Sequence, residues 1–425
     1  MAKLGLIVVD PGHFHAALAL QEMYDNVAEQ VHVYAPVGPD LVDYLTRIAR
    51  FNTRAEAPTA WQLEIHAGAD FVDRMARERA GNAAIFAGRN NEKIAAIAQA
   101  VDAGINVLAD KPMIVRRGDL PALEAVLEDA AAQGLVVLDM MGGRQEITRS
   151  LTRLLHADPE IFGEQVAGSA SEPGVEMSSV HHLMKMVSGV PNPRPPWYFD
   201  IRQQGDALAD IGTHLVDRVH ATLFAGEALD YRRDIAIDGV RRWPTMMDLA
   251  QFRQVTGAMD WPDYLAGAVS GGTLAYQCNT HLDYAVRGIH VGLDMVWDWL
   301  KPLGGGDTQT ETWRGSRARI ELRHGADEGW RPQLYVVPLA DIGAALERRI
   351  ASLAETHRGL SLERHGGAWK IAIPDGLRIG HDAHFRELTR SFLAQVERPG
   401  SLPAETNANL LAKYFITTAA DAAML

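Results

Sequence analysis

The chain has 425 residues, of which 47% are hydrophobic and 22% are charged, and this balance is that of a folded globular protein rather than a disordered or fibrous one. Its 41 basic and 54 acidic residues give a formal net charge of −13, which opposes non-specific binding to nucleic acid or to an anionic membrane surface. We therefore expect neither as a partner. At about 150 residues per domain, the length predicts two or three domains.

The cysteine content and the N-terminus indicate a cellular compartment. The single cysteine, Cys278, excludes an internal disulfide and any cysteine-rich metal site. The apolar run at residues 4–9 ends in Asp10 and is too short for a secretory signal, and no other stretch has the apolar length needed to span a bilayer. These features predict a cytoplasmic protein.

Residues 3–140 alternate short apolar runs with segments of helical period, a pattern typical of a parallel sheet covered on both faces. The predicted strands are residues 4–9, 31–34, 83–87, 105–109 and 135–138. Between the third and fourth strands, apolar residues recur at helical spacing over 94–101, and Gly104 is placed to end that helix. We predict a Rossmann-type, doubly wound α/β domain over residues 1–143.

The pattern changes in residues 144–425, which we predict to form a second, α+β domain. Alternation with period two predicts strands of one large, mostly antiparallel sheet at residues 268–280, 308–313, 317–322 and 334–337. Helical spacing over 385–396 predicts a terminal helix, an element that often packs back on the first domain. Because an exposed apolar sheet face would aggregate, we expect a homodimer or a homotetramer.

The turn after the first strand reads Asp-Pro-Gly-His-Phe-His over residues 10–15. A dinucleotide-binding unit has Gly-x-Gly-x-x-Gly at this place, whereas here Asp10 and His15 occupy the outer glycine positions and only Gly12 remains. His13 and His15 could donate to a phosphate, or the turn could serve backbone geometry alone. The His-x-His spacing also suits a metal, but no cysteine or carboxylate partner stands nearby in the sequence, and we predict no metal site.

Two further segments contain groups suited to acid–base chemistry. Asp110, Lys111 and Pro112 follow the fourth predicted strand, at a sheet edge where ligands bind, so Lys111 either binds a substrate hydroxyl or is simply solvated. In a helix, Asp210 and His214 would lie one turn apart, with Asp217 on the same face. This pair suits a general base, and the alternative is an acidic helix start with a buried histidine.

These features, in this order, resemble the Gfo/Idh/MocA family of glucose–fructose oxidoreductase and inositol dehydrogenase. The resemblance covers residues 1–225 and rests on two marks, the Asp110-Lys111-Pro112 tripeptide after Ala-Gly-x-x-Val-Leu and the Gly-x-x-x-x-Asp-x-Gly-x-His-x-x-Asp segment over 205–217. It implies that Lys111 and His214 contact the hydroxyl that loses its hydrogen, with Asp210 binding substrate beside them. The Asp-Pro-Gly-His-Phe-His turn distinguishes this chain as a divergent subgroup.

The resemblance also implies a dinucleotide site. Asn90 ends the segment Phe-Ala-Gly-Arg-Asn, which looks like the family's turn under the nicotinamide ribose. The second strand ends in neither an acidic residue nor an arginine that would select between NAD and NADP, and NAD is slightly favoured. The residues expected to form the cofactor site are Asp10, Gly12, His13, His15, Asn90, Asp110, Lys111 and Pro112.

The function expected from this resemblance is NAD(P)-dependent oxidation of a secondary hydroxyl of a sugar, glycoside or cyclitol, with His214 as the base. One alternative is a redox-neutral glycosidase, which oxidises its substrate transiently, eliminates the aglycone and reduces the product again. Another is a catalytically idle binding protein on the same fold. The candidate substrate residues are His181, His182, Lys185 and Trp197, of which Trp197 suits either a sugar-stacking platform or the core. His381 and His384 begin the terminal helix, and their role stays open.

Overall fold

The computed structural model describes residues 3–184, 186–187, 190–191, 193–398 and 400–423. They form two compact units. The first consists of Met1–Gly143, Arg202–Gly205 and Gly380–Ala422, and the second of Arg144–Ile201, Asp206–Ile379 and Ala423–Leu425. Among the described residues, no helix has both the length and the apolar character needed to cross a membrane.

The first unit contains a six-stranded sheet in which every neighbouring pair is parallel. Its strands are β1 (Leu4–Val9), β2 (Val27–Ala35), β3 (Gln62–Ala67), β4 (Ala83–Phe86), β5 (Asn106–Ala109) and β6 (Val137–Asp139). The spatial order is β3-β2-β1-β4-β5-β6, so the chain changes direction across the sheet between β1 and β4. This is the doubly wound Rossmann topology, and the predicted fold class of this unit is confirmed.

Five helices connect these strands, namely α1 (His15–Leu18), α2 (Pro39–Thr53), α3 (Phe71–Glu78), α4 (Lys93–Asp102) and α5 (Leu120–Gln133). α1 packs against α2, whereas α3, α4 and α5 form a second row. Gly104 follows α4 with a φ of 75°, a left-handed conformation that ends a helix at little cost for glycine, as predicted.

β3, which lies at the edge of this sheet, was not predicted from the sequence. β1, β4 and β5 are buried on both faces and therefore appear as apolar runs. In β3, by contrast, Gln62 and Glu64 are exposed, so no apolar run marks the strand. Polar side chains on an edge strand also discourage pairing with another chain.

The second unit is built on a ten-stranded sheet. The remaining strands of the chain are β7 (Val175–Met184), β8 (Met186–Val187), β9 (Val190–Pro191), β10 (Ile235–Asp248), β11 (Val269–Ser270), β12 (Thr273–Val286), β13 (Ile289–Leu300), β14 (Thr308–Arg314), β15 (Ala318–His324), β16 (Gln333–Pro338), β17 (Ser361–His365) and β18 (Ala368–Ala372). The large sheet runs β10-β12-β13-β7-β14-β15-β16-β18-β17, with β11 beside β12, while β8 and β9 form a separate ribbon. Only the β13–β7 pair of the large sheet is parallel, so the mostly antiparallel sheet is confirmed.

Four of these strands, β12, β14, β15 and β16, match predicted segments, although β12 extends beyond residue 280 to Val286. β7, β10 and β13 were missed because their polar and charged residues interrupt the alternation. The helices after α5 and before the terminal segment are α6 (Ile147–His156), α7 (Ile201–Gln204), α8 (Thr213–Leu223), α9 (Leu249–Thr256) and α10 (Gly343–Thr356).

The chain ends in three helices, α11 (His381–Val396), α12 (Thr406–Thr417) and α13 (Ala419–Ala422), which belong to the first unit. α11 contains the predicted terminal helix. The ring of Phe385 lies 4.3 Å from that of His15, centroid to centroid. On α12, buried Lys413 and Tyr414 both contact the carboxylate of Asp139, with Lys413 Nζ 2.7 Å from its Oδ2. This buried pair ties the last helices to the end of β6.

Candidate functional site

The turn after β1 brings the backbone of Asp10 into a left-handed conformation, with a φ of 45°. This is the region that glycine enters most easily, so Asp10 holds the backbone form expected of the missing first glycine. The amide of Gly12 donates to the Asp10 carbonyl oxygen at 2.8 Å, and the amide of His13 donates to the carbonyl oxygen of Ala87 at 2.7 Å. The turn is thereby fixed against the end of β4.

Gly88 explains how closely these two turns approach. A Cβ atom at Gly88 would lie 2.1 Å from Asp10 Oδ2 and 2.2 Å from the Asp10 carbonyl oxygen, so only glycine fits. The next amide, of Arg89, donates to Asp10 Oδ2 at 3.1 Å. Burial raises the pKa of Asp10, and the charge and the amide of Arg89 oppose that rise. A carboxylate with a raised pKa therefore faces the end of β4.

A cavity of about 490 Å³ opens beside this carboxylate, within the range of small-molecule sites. It is lined by the ends of β1 and β4 and by the first turns of α3 and α4, and includes Asp10, Phe71, Gly88, Arg89 and Lys93. β1 and β4 are the strands between which the sheet changes direction. In open α/β sheets, ligands bind at this place, outside the carboxyl ends of the strands.

Lys93 organises the loops beside the cavity. This buried lysine, the first residue of α4, donates from Nζ to Asn90 Oδ1, to the Asp110 carbonyl oxygen at 2.8 Å and to the Pro112 carbonyl oxygen at 3.1 Å. Asn90 in turn donates from Nδ2 to the Gln204 carbonyl oxygen at 2.7 Å. Lys93 was not predicted from the sequence, although a cation in the first turn of a helix opposes the helix dipole and therefore could have indicated another role.

Asp110, at the end of β5, joins the two histidines of the first turn. Its Oδ2 lies 2.7 Å from His13 Nδ1, and its Oδ1 lies 2.9 Å from His15 Nδ1. Burial alone would raise the pKa of Asp110, but the charges of His15 and His13 hold it well below its usual value. These three residues could also hold a metal ion. The carboxylate partner that we did not find in the sequence is therefore Asp110, which lies about a hundred residues away along the chain.

Lys111 and Pro112 follow directly, and Lys111 is half-buried whereas Pro112 is buried. The first unit thus places every predicted cofactor residue at the carboxyl ends of β1, β4 and β5. Adjacent parallel strands end at the same edge of a sheet, which is why segments distant in sequence meet here.

In the second unit, the segment over 205–217 is not one regular α-helix, the conformation that would place Asp210, His214 and Asp217 at α-helical spacing on one face. Leu208–Gly212 forms a π-helical turn, and α8 begins only at Thr213. Gly212 packs closely against the side chain of Met295 on β13, because a Cβ atom added at Gly212 would lie 2.8 Å from Met295 Sδ. π-helical turns inside helices occur frequently at functional sites.

The three polar residues of that segment have different surroundings. Asp210 is buried in the π-helical turn and accepts a hydrogen bond from the Tyr198 hydroxyl at 2.9 Å. His214 is half-buried in the first turn of α8. Asp217 accepts two hydrogen bonds from Arg144, at 2.9 and 2.6 Å. Asp210 and Asp217 therefore have separate hydrogen-bond partners within the second unit.

A cluster of aromatic and cationic groups extends from Asp210 to His181. The Arg194 guanidinium lies over the rings of Tyr198 and Trp297, 4.4 and 4.6 Å from their centroids, and the His181 ring lies 5.2 Å from that of Trp297. Burial, together with the charge of Asp210, raises the pKa of Tyr198 well above its usual value, against an opposing contribution from Arg194. Tyr198 therefore remains a hydroxyl donor to Asp210 at every physiological pH.

His181 and His182 share one carboxylate that the sequence analysis did not identify. Their Nδ1 atoms lie 3.2 and 3.1 Å from the two oxygens of Asp307. Trp197 is only 4% exposed, as a core residue would be. Lys185 lies outside the described residues.

Two histidines of the terminal segment complete the set of predicted residues. His384 is buried in α11, within the first unit. The structure describes the backbone of His381 but not its side chain.

Comparisons with known proteins agree with this architecture. Residues 151–424 match the family described as "Putative oxidoreductase C terminal domain". A structure of a "putative oxidoreductase" from Parabacteroides merdae ATCC 43184 is 39% identical, with a TM-score of 0.96, over 100% of this chain and 98% of that one. None of the curated proteins matches the chain.

More distant structures share the fold. The 3-ketoreductase KijD10 from Actinomadura kijaniata, in complex with NADP and TDP-benzene, is 14% identical, with a TM-score of 0.58, over 98% of this chain and 96% of that one. A structure described as a "putative oxidoreductase" from Thermotoga maritima is 12% identical, with a TM-score of 0.61, over 99% of this chain and 98% of that one. At these identities, the likeness is one of fold alone.

Proposed function

The chain belongs to the oxidoreductase family defined by that C-terminal domain, and on this premise we propose that it is an NAD(P)-dependent enzyme that oxidises a secondary hydroxyl of a sugar, glycoside or cyclitol. The observation that carries the proposal is the cavity between the carboxyl ends of β1 and β4, beside loops that Lys93 fixes. Lys93 holds the carbonyl groups on either side of Lys111, and in this proposal Lys111 is the reacting group beside the bound nucleotide.

The residues around the cavity fit a dinucleotide. Gly88 lets the turns after β1 and β4 meet beside the cavity, and Arg89, which lines it, would supply a cation for a phosphate. His13 and His15, held by Asp110, stand where glycine amides would otherwise serve the pyrophosphate. The bound cofactor would accept the hydride. KijD10, which shares the fold, binds NADP, and this supports the cofactor class by analogy only.

Oxidation of a carbinol needs a base for the O–H proton and a cation beside the oxygen as negative charge develops there. In this proposal, His214 accepts the proton and Lys111 holds the oxygen. Asp210, oriented by Tyr198, binds a neighbouring hydroxyl of the substrate. Sugars and cyclitols suit this set, because each presents several hydroxyl groups to carboxylate, imidazole and ammonium groups.

The redox-neutral glycosidase is a second candidate, and one observation favours it. Half-buried His181 lies 3.2 Å from Asp307, and an imidazole beside a carboxylate can supply the proton that a leaving aglycone needs. We prefer the dehydrogenase, because its catalytic roles need only Lys111, His214 and Asp210, which stand at positions that match the family motifs.

A stoichiometry experiment separates the two candidates. The protein is first titrated with NAD and NADP by calorimetry, and we expect binding well below millimolar concentration for at least one of them. It is then incubated with sugars, cyclitols and α- and β-glycosides while reduced nicotinamide and free aglycone are followed together. A dehydrogenase yields one reduced cofactor per keto product with the glycosidic bond intact. Full aglycone release without reduced cofactor would establish the glycosidase instead, and failure to bind either nucleotide would favour the idle binding protein.

A matched pair of variants tests the role of His214. His214→Ala should lower turnover by about 10²- to 10⁴-fold, as loss of an acid–base group does, while nucleotide binding is retained. The control is His290→Gln, which should leave turnover unchanged. His290 is a half-buried residue of β13 that lies beside the carboxylate of Asp238. Equal turnover in the two variants would contradict the assignment.

We also propose that the protein is a homo-oligomer that buries part of the large sheet. Met246 on β10 and Leu300 on β13 are exposed apolar side chains of that sheet, and such groups favour an interface. Light scattering at several dilutions tests this proposal, and a monomer at every concentration would contradict it.

A further inference from the structure

A second group of metal-ligating side chains lies away from the cavity, on the edge of the Rossmann sheet. In the β2–β3 pairing, His32 stands opposite Glu64, and Tyr34 stands opposite His66. Because side chains two residues apart point to the same face of a strand, these four groups share one face of the sheet. None of them lines the cavity between β1 and β4.

The ligand atoms of this group have the spacing of a coordination site. His32 Nδ1 lies 3.2 Å from His66 Nε2, and the Glu64 carboxylate oxygens lie 3.6 Å from His32 Nδ1 and 3.8 Å from His66 Nε2. Two nitrogens at the usual Zn–N distance in a tetrahedral site are about 3.3 Å apart. The three side chains therefore stand close to the positions that they would take around one ion.

Neighbouring groups hold these side chains in place. Gln30 donates from Nε2 to Glu64 Oε2 at 2.7 Å. The other ring nitrogen of His66, Nδ1, faces Glu78 Oε2 at 3.8 Å, and Glu78 is itself held by hydrogen bonds from Tyr34 and Arg74. Metal-binding carboxylates and histidines commonly have such outer partners, which orient the ligand.

The solvent exposure of the group also suits a cation. The His66 side chain is only 7% exposed, whereas that of Glu64 is 49% exposed, which leaves an entry path from solvent.

We propose that His32, Glu64 and His66 form a binding site for a divalent transition metal, with Zn²⁺ as the preferred ion and water as the fourth ligand. Two imidazoles and one carboxylate favour Zn²⁺ over Mg²⁺ or Ca²⁺, which prefer oxygen ligands alone. The ion would take the place of the hydrogen bond between His32 Nδ1 and His66 Nε2, and the proton of that bond would pass to solvent. Since β3 is the edge strand, the ion would fasten it to β2.

The other cluster of this kind, formed by His13, His15 and Asp110, is less suitable. Its nitrogen–oxygen distances of 2.7 and 2.9 Å are shorter than the separation of about 3.3 Å between two ligand atoms of a tetrahedral zinc site, so these groups would have to move apart to take an ion. It also belongs to the proposed cofactor site. The two clusters share no residue, so they can be tested separately.

To test this proposal, the purified full chain is treated with a chelator and then titrated with Zn²⁺ by calorimetry. The Tm of unfolding is measured with and without the ion. We expect one Zn²⁺ per chain, with a Kd in the micromolar range or tighter, and an increase in Tm because the ion binds the folded state. Co²⁺ in its place should give the visible absorption of a tetrahedral nitrogen and oxygen site. An excess of Mg²⁺ should not displace either ion.

Three variants decide the assignment. His66→Gln and Glu64→Gln should each weaken Zn²⁺ binding by more than about tenfold, because even outer partners of a ligand contribute about 10- to 100-fold. Glu64 is exposed, so its variant stays informative if His66→Gln does not fold. His15→Gln should bind Zn²⁺ as the wild type does. Unchanged affinity in the first two variants, loss of binding in the third, or less than one ion per wild-type chain would each overturn the proposal.

Discussion

The buried ammonium of Lys93 donates to the carbonyl oxygen of Asp110 at 2.8 Å, which joins the start of α4 to the end of β5. The same ammonium reaches the Asn90 side chain and the Pro112 carbonyl oxygen. One cation therefore fixes the backbone on both sides of Lys111. A reacting lysine benefits from a fixed backbone, because displacement of a reacting group by even about 1 Å lowers the reaction rate.

Lys93→Met tests this role. The variant leaves three buried acceptors without their donor, and we expect the free energy of unfolding to fall by roughly 2–4 kcal/mol. Nucleotide binding should weaken as well, since Lys93 also lines the cavity. Denaturant unfolding and calorimetric titration with the nucleotide measure the two effects.

Lys370→Met is the control for that experiment. Lys370 lies on β18, only part-buried and 3.9 Å from Glu363, a weak surface pair. It should change neither stability nor nucleotide binding by a measurable amount. If Lys93→Met were as stable as this control, the buried ammonium would not hold the two loops.

Gly88→Ala should abolish nucleotide binding. The added Cβ would lie 2.1 Å from the Asp10 carboxylate and 2.2 Å from its carbonyl oxygen, so the two turns must separate. Gly118→Ala is the matched change in the same unit, because a Cβ there meets no atom within 4 Å. We expect calorimetry to show wild-type affinity for Gly118→Ala alone. Tight nucleotide binding by Gly88→Ala would show that the site does not depend on the close contact between these two turns.

Asp10→Asn should alter the pH dependence of stability. Burial raises the pKa of Asp10 in the folded state above its unfolded value of 3.8, so the ionised carboxylate costs stability at pH 7. This cost decreases as the pH falls through the folded pKa and vanishes below the unfolded one. The variant should be more stable than the wild type at pH 7, with no difference near pH 3.

Asp129→Asn, an exposed change on α5, provides the reference curve. It should follow the wild type in unfolding experiments at every pH. If the stability of Asp10→Asn had the same pH dependence as this reference, burial would not destabilise the ionised Asp10 carboxylate.

The sequence predicts the first unit well because its central strands are buried on both faces. The runs that contain β1, β4 and β5 are apolar throughout, and their alternation with helices leaves few topologies other than the doubly wound one. β3 escapes because an edge strand exposes polar groups. Strand prediction from apolar runs therefore fails where a strand faces solvent rather than the core.

The sequence predicts the residues of the candidate site that belong to local motifs, but not the partners that come from distant segments. Asp110 and Asn90 are visible as residues that follow strands, but their common partner, Lys93, depends on three strands ending at one edge. Tyr198 and Asp307 contact Asp210 and the two histidines of β7 only in the folded chain. Such partners could not be inferred, because no sequence spacing encodes a contact between distant segments.

Tyr198→Phe is the sharpest test of the substrate-binding role of Asp210. The variant removes the hydroxyl that donates to Asp210 at 2.9 Å but keeps the ring against Arg194 and Trp297, so the fold should persist. A hydrogen bond to a charged group contributes about 1.5–3 kcal/mol, and we expect kcat/KM for the hydroxyl substrate to fall about 10- to 100-fold. Nucleotide affinity should stay at the wild-type value. Tyr284→Phe, which changes a fully buried tyrosine on β12, is the control and should retain kcat/KM. An equal kcat/KM in both variants would show that orientation of Asp210 by Tyr198 has no part in catalysis.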